Sequence, residues 1–99
     1  IEKNSKLTAI ICSSEYSAAG AIKALNELNL KIGKDISLIT FDGSVVNSIS
    51  SPSITAVTHD RKQLGQKAIE LLTAKKRSKI NNYLAKPKII ERGSVHKVI

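Results

Sequence analysis

The sequence predicts an α/β fold with a mostly parallel sheet flanked by helices. Short apolar runs alternate with segments of helical periodicity, and the runs lack strict polar alternation. A continuous apolar run is typical of a strand buried on both faces of a parallel sheet. Strands that alternate with helices indicate such a sheet. The predicted order is therefore strand, helix, strand, short turn, strand, helix, strand.

The first two predicted strands enclose one helix. Residues 8–12 are a short apolar run and predict the first strand. Ser13 or Ser14 can cap the helix that follows, because a serine hydroxyl accepts from the free N–H groups of a helix start. Apolar residues at spacings of three and four over 15–29 predict one buried stripe on that helix. Residues 37–41 predict the second strand, buried on both faces.

The second half of the chain repeats the alternation. Residues 44–51 are small and polar, and we expect a loop with one short helical turn. Residues 54–57 predict the third strand. Asp60, followed three residues later by a glutamine, is typical of a helix start and predicts a helix over 61–76. Residues 88–92 predict the fourth strand.

Length and composition bound the class of protein. Ninety-nine residues of which 41% are hydrophobic make one small domain or a piece of a larger one. No apolar run is long enough for a transmembrane helix, and the start has no signal-peptide core. Cys12 is the single cysteine, so no internal disulfide can form, and we expect it to be a buried small hydrophobe. We expect an internal or processed segment located in the cytoplasm.

The positive charge is concentrated near the carboxyl end. The net charge is +8, and residues 71–99 carry eight basic side chains against one acidic. A basic segment permits a nucleic-acid surface. We favour solvated positions, with Lys75, Lys76 and Arg77 complementing the dipole at a helix end.

Patterns that support catalysis or metal binding are lacking in the sequence. The glycines form neither a dinucleotide fingerprint nor a P-loop, and no nucleophile elbow is present. His59 and His96 are too few and too far apart to indicate a zinc site. We therefore expect no enzyme activity, no cofactor and no metal.

Asp42 is the strongest candidate for a binding residue. It directly follows the second strand, and ligands of open α/β sheets bind beyond the carboxyl ends of the strands. An ionised carboxylate accepts hydrogen bonds from hydroxyls, amines or guanidinium groups. Asp42 could instead cap its own turn through its side chain.

Four stretches in unbroken order resemble one protein family. Residues 8–22 read Thr-Ala-Ile-Ile-Cys-Ser-Ser-Glu-Tyr-Ser-Ala-Ala-Gly-Ala-Ile, and residues 31–42 read Lys-Ile-Gly-Lys-Asp-Ile-Ser-Leu-Ile-Thr-Phe-Asp. Together with 52–65 and 90–94, they resemble the effector-binding domain of bacterial LacI/GalR-type transcriptional repressors. The resemblance implies a partial periplasmic-binding-protein-like domain. Residues 1–99 would be its C-terminal portion, and the family's DNA-binding helix-turn-helix would lie outside them.

The resemblance also implies an effector site. Asp42 matches the family carboxylate that contacts the effector, often through a sugar hydroxyl, and Ser14 matches an effector-contacting position that is commonly asparagine. Ser14 could also serve only as a helix cap. Tyr16 would line the cleft or the dimer face, or pack in the core. His59 and Arg61 lie near a crossover that lines the cleft in the family, or are simply solvated.

The same resemblance implies a homodimer that senses a sugar-like effector. Ala18, Ala19 and Ile22 match a helix of the family's dimer interface, although an amphipathic helix packing in its own core would show the same residues. Contact with DNA would occur only through the domain outside this chain, and no membrane contact is implied. Two rival functions stay open, an extracytoplasmic sugar-binding protein of the same fold and a small basic nucleic-acid-binding module.

Overall fold

The computed structural model describes residues 6–43, 45–74 and 82–98 and shows a four-stranded sheet with helices. The strands lie in the order β1-β2-β3-β4, and β1, β2 and β3 are parallel. This confirms the predicted α/β class and its mostly parallel sheet. The strands are β1 (Ala9–Cys12), β2 (Ser37–Phe41), β3 (Thr55–Thr58) and β4 (Lys88–Ile90); the helices are α1 (Glu15–Glu27), α2 (Val45–Ile49) and α3 (Arg61–Thr73).

Strand β1 begins one residue later than predicted, and β3 is shifted by one residue at both ends. Three other boundaries differ by two or three residues. Helix α1 ends before residue 29 because Leu28 caps it and Asn29 adopts a left-handed conformation with φ of 55°. Strand β4 ends at Ile90 because the N–H of Arg92 donates to the side-chain hydroxyl of Thr55 at 3.0 Å. Helix α3 ends at Thr73, since Ala74 is extended. Lys75, Lys76 and Arg77, expected at the end of that helix, lie outside the described residues.

One face of the sheet forms the core with α1. Leu25 of the helix and Leu38 of β2 are fully buried, and Ile36 and Ile54 join them. The register pairs Ile10 with Leu38, so their side chains point to the same face. Burial of these aliphatic side chains contributes ~1.5–3 kcal/mol each.

The other face of the sheet is more open, which corrects the prediction that β2 is buried on both faces. Ile11 is 67% exposed, Phe41 is 44% exposed and Ile39 is half-buried. These residues alternate with the core residues along the strands, so they point away from α1.

The chain divides into two compact units. The described residues up to Thr58, with those from Ile89 onward, form the first unit, and His59–Lys88 form the second. The first unit contains the three parallel strands, α1 and α2. Within the described ranges, no helix has the length and apolarity needed to cross a membrane.

Candidate functional site

The candidate site lies at the carboxyl edge of the parallel strands of the first unit. Strands β1 and β2 are neighbours, and their register pairs Cys12 with Thr40. Ser14 follows β1 by two residues, and Asp42 directly follows β2. Parallel strands end at the same edge, so the fold brings these two candidate residues to one side of the sheet.

Asp42 presents an exposed carboxylate on a constrained backbone. Its φ is 58°, a left-handed conformation that few residues other than glycine adopt, and its N–H donates to the carbonyl of Val57 at 2.9 Å. Its carboxylate has no hydrogen bond or ion pair with any residue that the structure describes. The carboxylate can accept hydrogen bonds from a ligand. The alternative, a cap on its own turn, involves residue 44, which lies outside the described residues.

The turn that carries Asp42 is packed closely onto β3. A Cβ atom added to Gly43 would overlap the Cβ of Ala56, so the glycine lets the backbone approach the sheet. This contact and the bond to Val57 set the direction in which Asp42 leaves β2.

Ser14 performs the capping role that the sequence left open between Ser13 and Ser14. Its hydroxyl accepts the N–H of Ser17 at 3.2 Å, and its own N–H donates to the Ser17 hydroxyl at 3.1 Å. This capping box starts α1 at Glu15. Tyr16 is 91% exposed, which excludes the core packing considered for it.

The remaining two candidates belong to the second unit. His59 is half-buried and follows the last residue of β3, and Arg61 is the exposed first residue of α3. Asp60 accepts the N–H of Gln63 at 2.9 Å, which confirms Asp60 as the predicted cap. Ser14, Tyr16 and Asp42 therefore lie in one unit, whereas His59 and Arg61 lie in the other.

The three residues proposed for a dimer interface have different environments. Ala18 is fully buried in the core of the chain itself, so its side chain offers no surface to a partner and the expectation is wrong for this residue. Ala19 is exposed and Ile22 is half-buried. Ala19 lies three residues after Tyr16, so the two share the outer surface of α1.

Two titratable side chains of the first unit have partners within the chain itself: Cys12, the last residue of β1, and His96, which bonds to the first residue of β2. Burial raises the pKa of the Cys12 thiol, and a hydrogen bond from Ser17 partly opposes the shift. The ring of His96 bonds through Nδ1 to the hydroxyl of Ser37 at 3.0 Å, and the backbone N–H of His96 donates to the same hydroxyl at 3.1 Å. Searched over the described ranges, the structure holds no cluster of three His, Cys, Asp or Glu side chains able to bind a metal.

The sequence did not single out the side chains that hold the last segment on the sheet. Ser94 is fully buried, and its hydroxyl accepts the N–H of Thr55 at 2.8 Å. Arg92 donates through Nη1 to the carbonyl of Ile54 at 2.6 Å. Their partners are at least 37 residues away in sequence, so no local pattern could have identified these contacts.

Comparison with known proteins shows one consistent similarity. Residues 2–95 match a family model described as a periplasmic binding protein-like domain. The chain is 34% identical over 94 residues to the HTH-type transcriptional regulator RegA of Clostridium saccharobutylicum. That match covers 92% of this chain and 28% of RegA, so the chain spans less than a third of that relative.

Solved structures show the same fold. A PurR family transcriptional regulator from Vibrio parahaemolyticus superposes with a TM-score of 0.80 at 32% identity, over 95% of this chain and 34% of that one. The Lac repressor dimer was solved bound to operator and the anti-inducer ONPF. It superposes with a TM-score of 0.74 at 27% identity, and the match covers 91% of this chain and 32% of the repressor chain.

Proposed function

We propose a sensing function for this chain, which belongs to the periplasmic binding protein-like domain family in the form found in LacI/GalR-type transcriptional regulators. The proposed role is sensing of a small-molecule effector. Residues 1–99 would be the C-terminal part of the effector-binding domain, and a DNA-binding domain elsewhere in the protein would respond to it.

The observation that carries the proposal is the Asp42 carboxylate. It stands at the carboxyl edge of a parallel sheet, exposed and without a polar partner among the residues described. Ligands of open α/β sheets bind at this edge, and a carboxylate is well suited to sugar hydroxyls because it accepts several hydrogen bonds at once. We therefore propose Asp42 as the anchor of a sugar or sugar-like effector.

The other candidates have supporting roles in the proposal. Ser14 shares the edge with Asp42, and Tyr16 is exposed on the first turn of α1. His59 and Arg61 are proposed as effector-contacting residues on the strength of the family resemblance. The planar guanidinium of Arg61 suits a carboxylate or phosphate group on the effector.

The proposed mechanism is linkage between effector binding and DNA binding in a homodimer. An effector that binds one arrangement of the domain more tightly than another shifts the population toward it. Ala19 and Ile22 of α1 are the proposed interface residues, and we propose a cytoplasmic protein without a catalytic step. The relatives are transcriptional regulators, which favours this role over a transport protein or a small nucleic-acid-binding module.

Isothermal titration of the intact protein tests the proposal. The probes are neutral mono- and disaccharides and their phosphate esters, and the variant is Asp42→Asn, which keeps size and tolerates a positive φ. We expect a sugar to bind and the variant to bind it about tenfold to a hundredfold more weakly, as for loss of a charge-assisted hydrogen bond.

Glu27→Gln is the matched control for this titration, because Glu27 is an exposed carboxylate at the far end of α1. Its affinity for the sugar should equal that of the parent. Equal binding by Asp42→Asn would remove Asp42 from the site, and a panel without any binder would overturn the sugar-like effector.

A further inference from the structure

We propose that Arg92 is a positioning residue for the turn that carries Asp42. The turn, here called the Asp42 turn, consists of residues 41–43. The functional meaning of this inference rests on the proposed function, since it assigns a support to the anchor of the effector. The structural part can be tested without any effector.

The guanidinium of Arg92 reaches both ends of the connection between β2 and β3. At the far end, its Nη1 donates to the carbonyl of Ile54 at 2.6 Å. At the near end, the same nitrogen lies 3.6 Å from the place where a Cβ on Gly43 would stand. The half-buried guanidinium therefore bonds to the residue that precedes β3 and lies beside Gly43 of the Asp42 turn.

The Asp42 turn needs such support. A non-glycine residue at a positive φ is strained by about 1 kcal/mol or more and persists only where its surroundings hold it. The N–H of Asp42 has one bond, to Val57 at 2.9 Å. The peptide groups of Ile54 are held on both sides, because its N–H donates to Asn47 of α2 at 2.8 Å and its carbonyl accepts from Arg92.

The side chain of Arg92 is not needed to attach its own segment to the sheet. The backbone N–H of Arg92 already donates to Thr55, and Ser94 and His96 bond to the sheet further along. The guanidinium is thus free to serve the connection beside Gly43.

Amide hydrogen exchange followed by NMR on the intact protein, without effector, tests the inference. We expect Arg92→Met to raise the exchange rates of the Asp42 and Ile54 amides about tenfold, since local opening follows the loss of one charge-assisted bond. The amide of Leu38 lies in the same sheet and donates to Ser94, so its rate should not change.

Two further variants complete the experiment. Arg92→Lys keeps a cation that can donate to Ile54 but lacks the planar fork, and its Asp42 rate should lie between those of the parent and Arg92→Met. Lys97→Met removes one positive charge from an exposed position of the same segment and should match the parent. If Arg92→Met does not fold, the exchange rates of the Asp42 and Ile54 amides in Arg92→Lys decide whether the inference holds.

Two outcomes would overturn the inference. One is an Asp42 rate that stays at the parent value in both Arg92 variants. The other is a rise shared equally by Leu38, which would mean a general loss of stability. A failed sugar titration would leave these rates unaffected, so the two proposals fail separately.

Discussion

Leu38 of β2 and Ser94 of the last segment of the chain exchange two hydrogen bonds. The N–H of Leu38 donates to the Ser94 carbonyl at 2.9 Å, and the Ser94 hydroxyl donates to the Leu38 carbonyl at 2.5 Å. The same hydroxyl accepts the N–H of Thr55 at 2.8 Å. Ser94 therefore joins β2 to β3 at the edge opposite Asp42, and both side chains are fully buried.

Replacement of Ser94 by alanine should destabilise the protein. Ser94→Ala leaves the buried N–H of Thr55 without its acceptor and removes a donor from the Leu38 carbonyl. We expect the free energy of unfolding to fall by about 2–4 kcal/mol in urea titrations. Ser13→Ala is the control, since Ser13 is exposed, and a fall for Ser94→Ala no larger than the control's would contradict the bridging role.

The same substitution at two glycines should have opposite effects. Gly43→Ala places a methyl group against Ala56 and should lower the free energy of unfolding by about 1–3 kcal/mol, as overpacking does. Gly20→Ala in α1 meets no atom within 4 Å and should raise it by about 0.5–1 kcal/mol. Chemical unfolding of both variants measures the difference, and a destabilisation by Gly20→Ala alone would be inconsistent with this packing.

The stability of the protein should depend on which side chain follows the cap of α1. Asn29 has a φ of 55°, and alanine resists that conformation whereas glycine accepts it. We expect Asn29→Ala to lower the melting temperature relative to Asn29→Gly, by a difference equivalent to about 1 kcal/mol. Asn26→Ala, within the helix, should be neutral or stabilising because alanine is the better helix former.

The buried thiol should make stability depend on alkaline pH. Because burial raises the pKa of Cys12 above its ordinary value of 9.0, the unfolded chain releases the thiol proton first. Fewer bound protons in the unfolded state mean that the free energy of unfolding falls as pH rises above about 9. Cys12→Ala should show a shallower decline above about pH 9 in urea titrations.

The labelling rate of Cys12 gives an independent measurement. Iodoacetamide reacts with the thiolate, so the folded protein should react more slowly near neutral pH than the urea-unfolded chain. Equal labelling rates in the two states, together with parallel pH profiles for parent and Cys12→Ala, would contradict the raised pKa.

The amides of helix α3 should be less protected from hydrogen exchange than those of α1 and β2. None of its side chains is buried, and Ile69 and Leu72 are 61% and 74% exposed. An isolated helix of this length is marginal in water, so we expect its amides to exchange about a hundredfold faster than those of β2. Hydrogen exchange by NMR checks this, and equal protection of α3 and β2 would refute it.

Local signals predicted most of the elements. The apolar run of β2 predicted its bounds at Ser37 and Phe41, and the Asp60 signal marked the first residue of α3. Asp42 could be chosen as a candidate because its position after an apolar strand is itself a sequence property. Each of these features depends on residues within a few positions of one another.

The candidate site was only partly predictable for the same reason. Ser14 carries the cap, but whether Ala18 faces a partner or the core depends on how α1 turns toward β2. Arg92 was merely one basic residue among several in the last segment. Its contact with Ile54 and its place beside Gly43 arise only when the last segment of the chain packs onto β3.

The sequence by itself determined the order of strands and helices and the position of a carboxylate at a strand end. Both depend on helix-cap residues and apolar periodicity, which are properties of residues close together in the chain. Only the tertiary structure decided that Phe41 is half-open, that Ala18 is internal, and that Ser94 and Arg92 hold distant strands. Those outcomes depend on contacts across dozens of residues, which form when apolar burial brings the strands into one sheet.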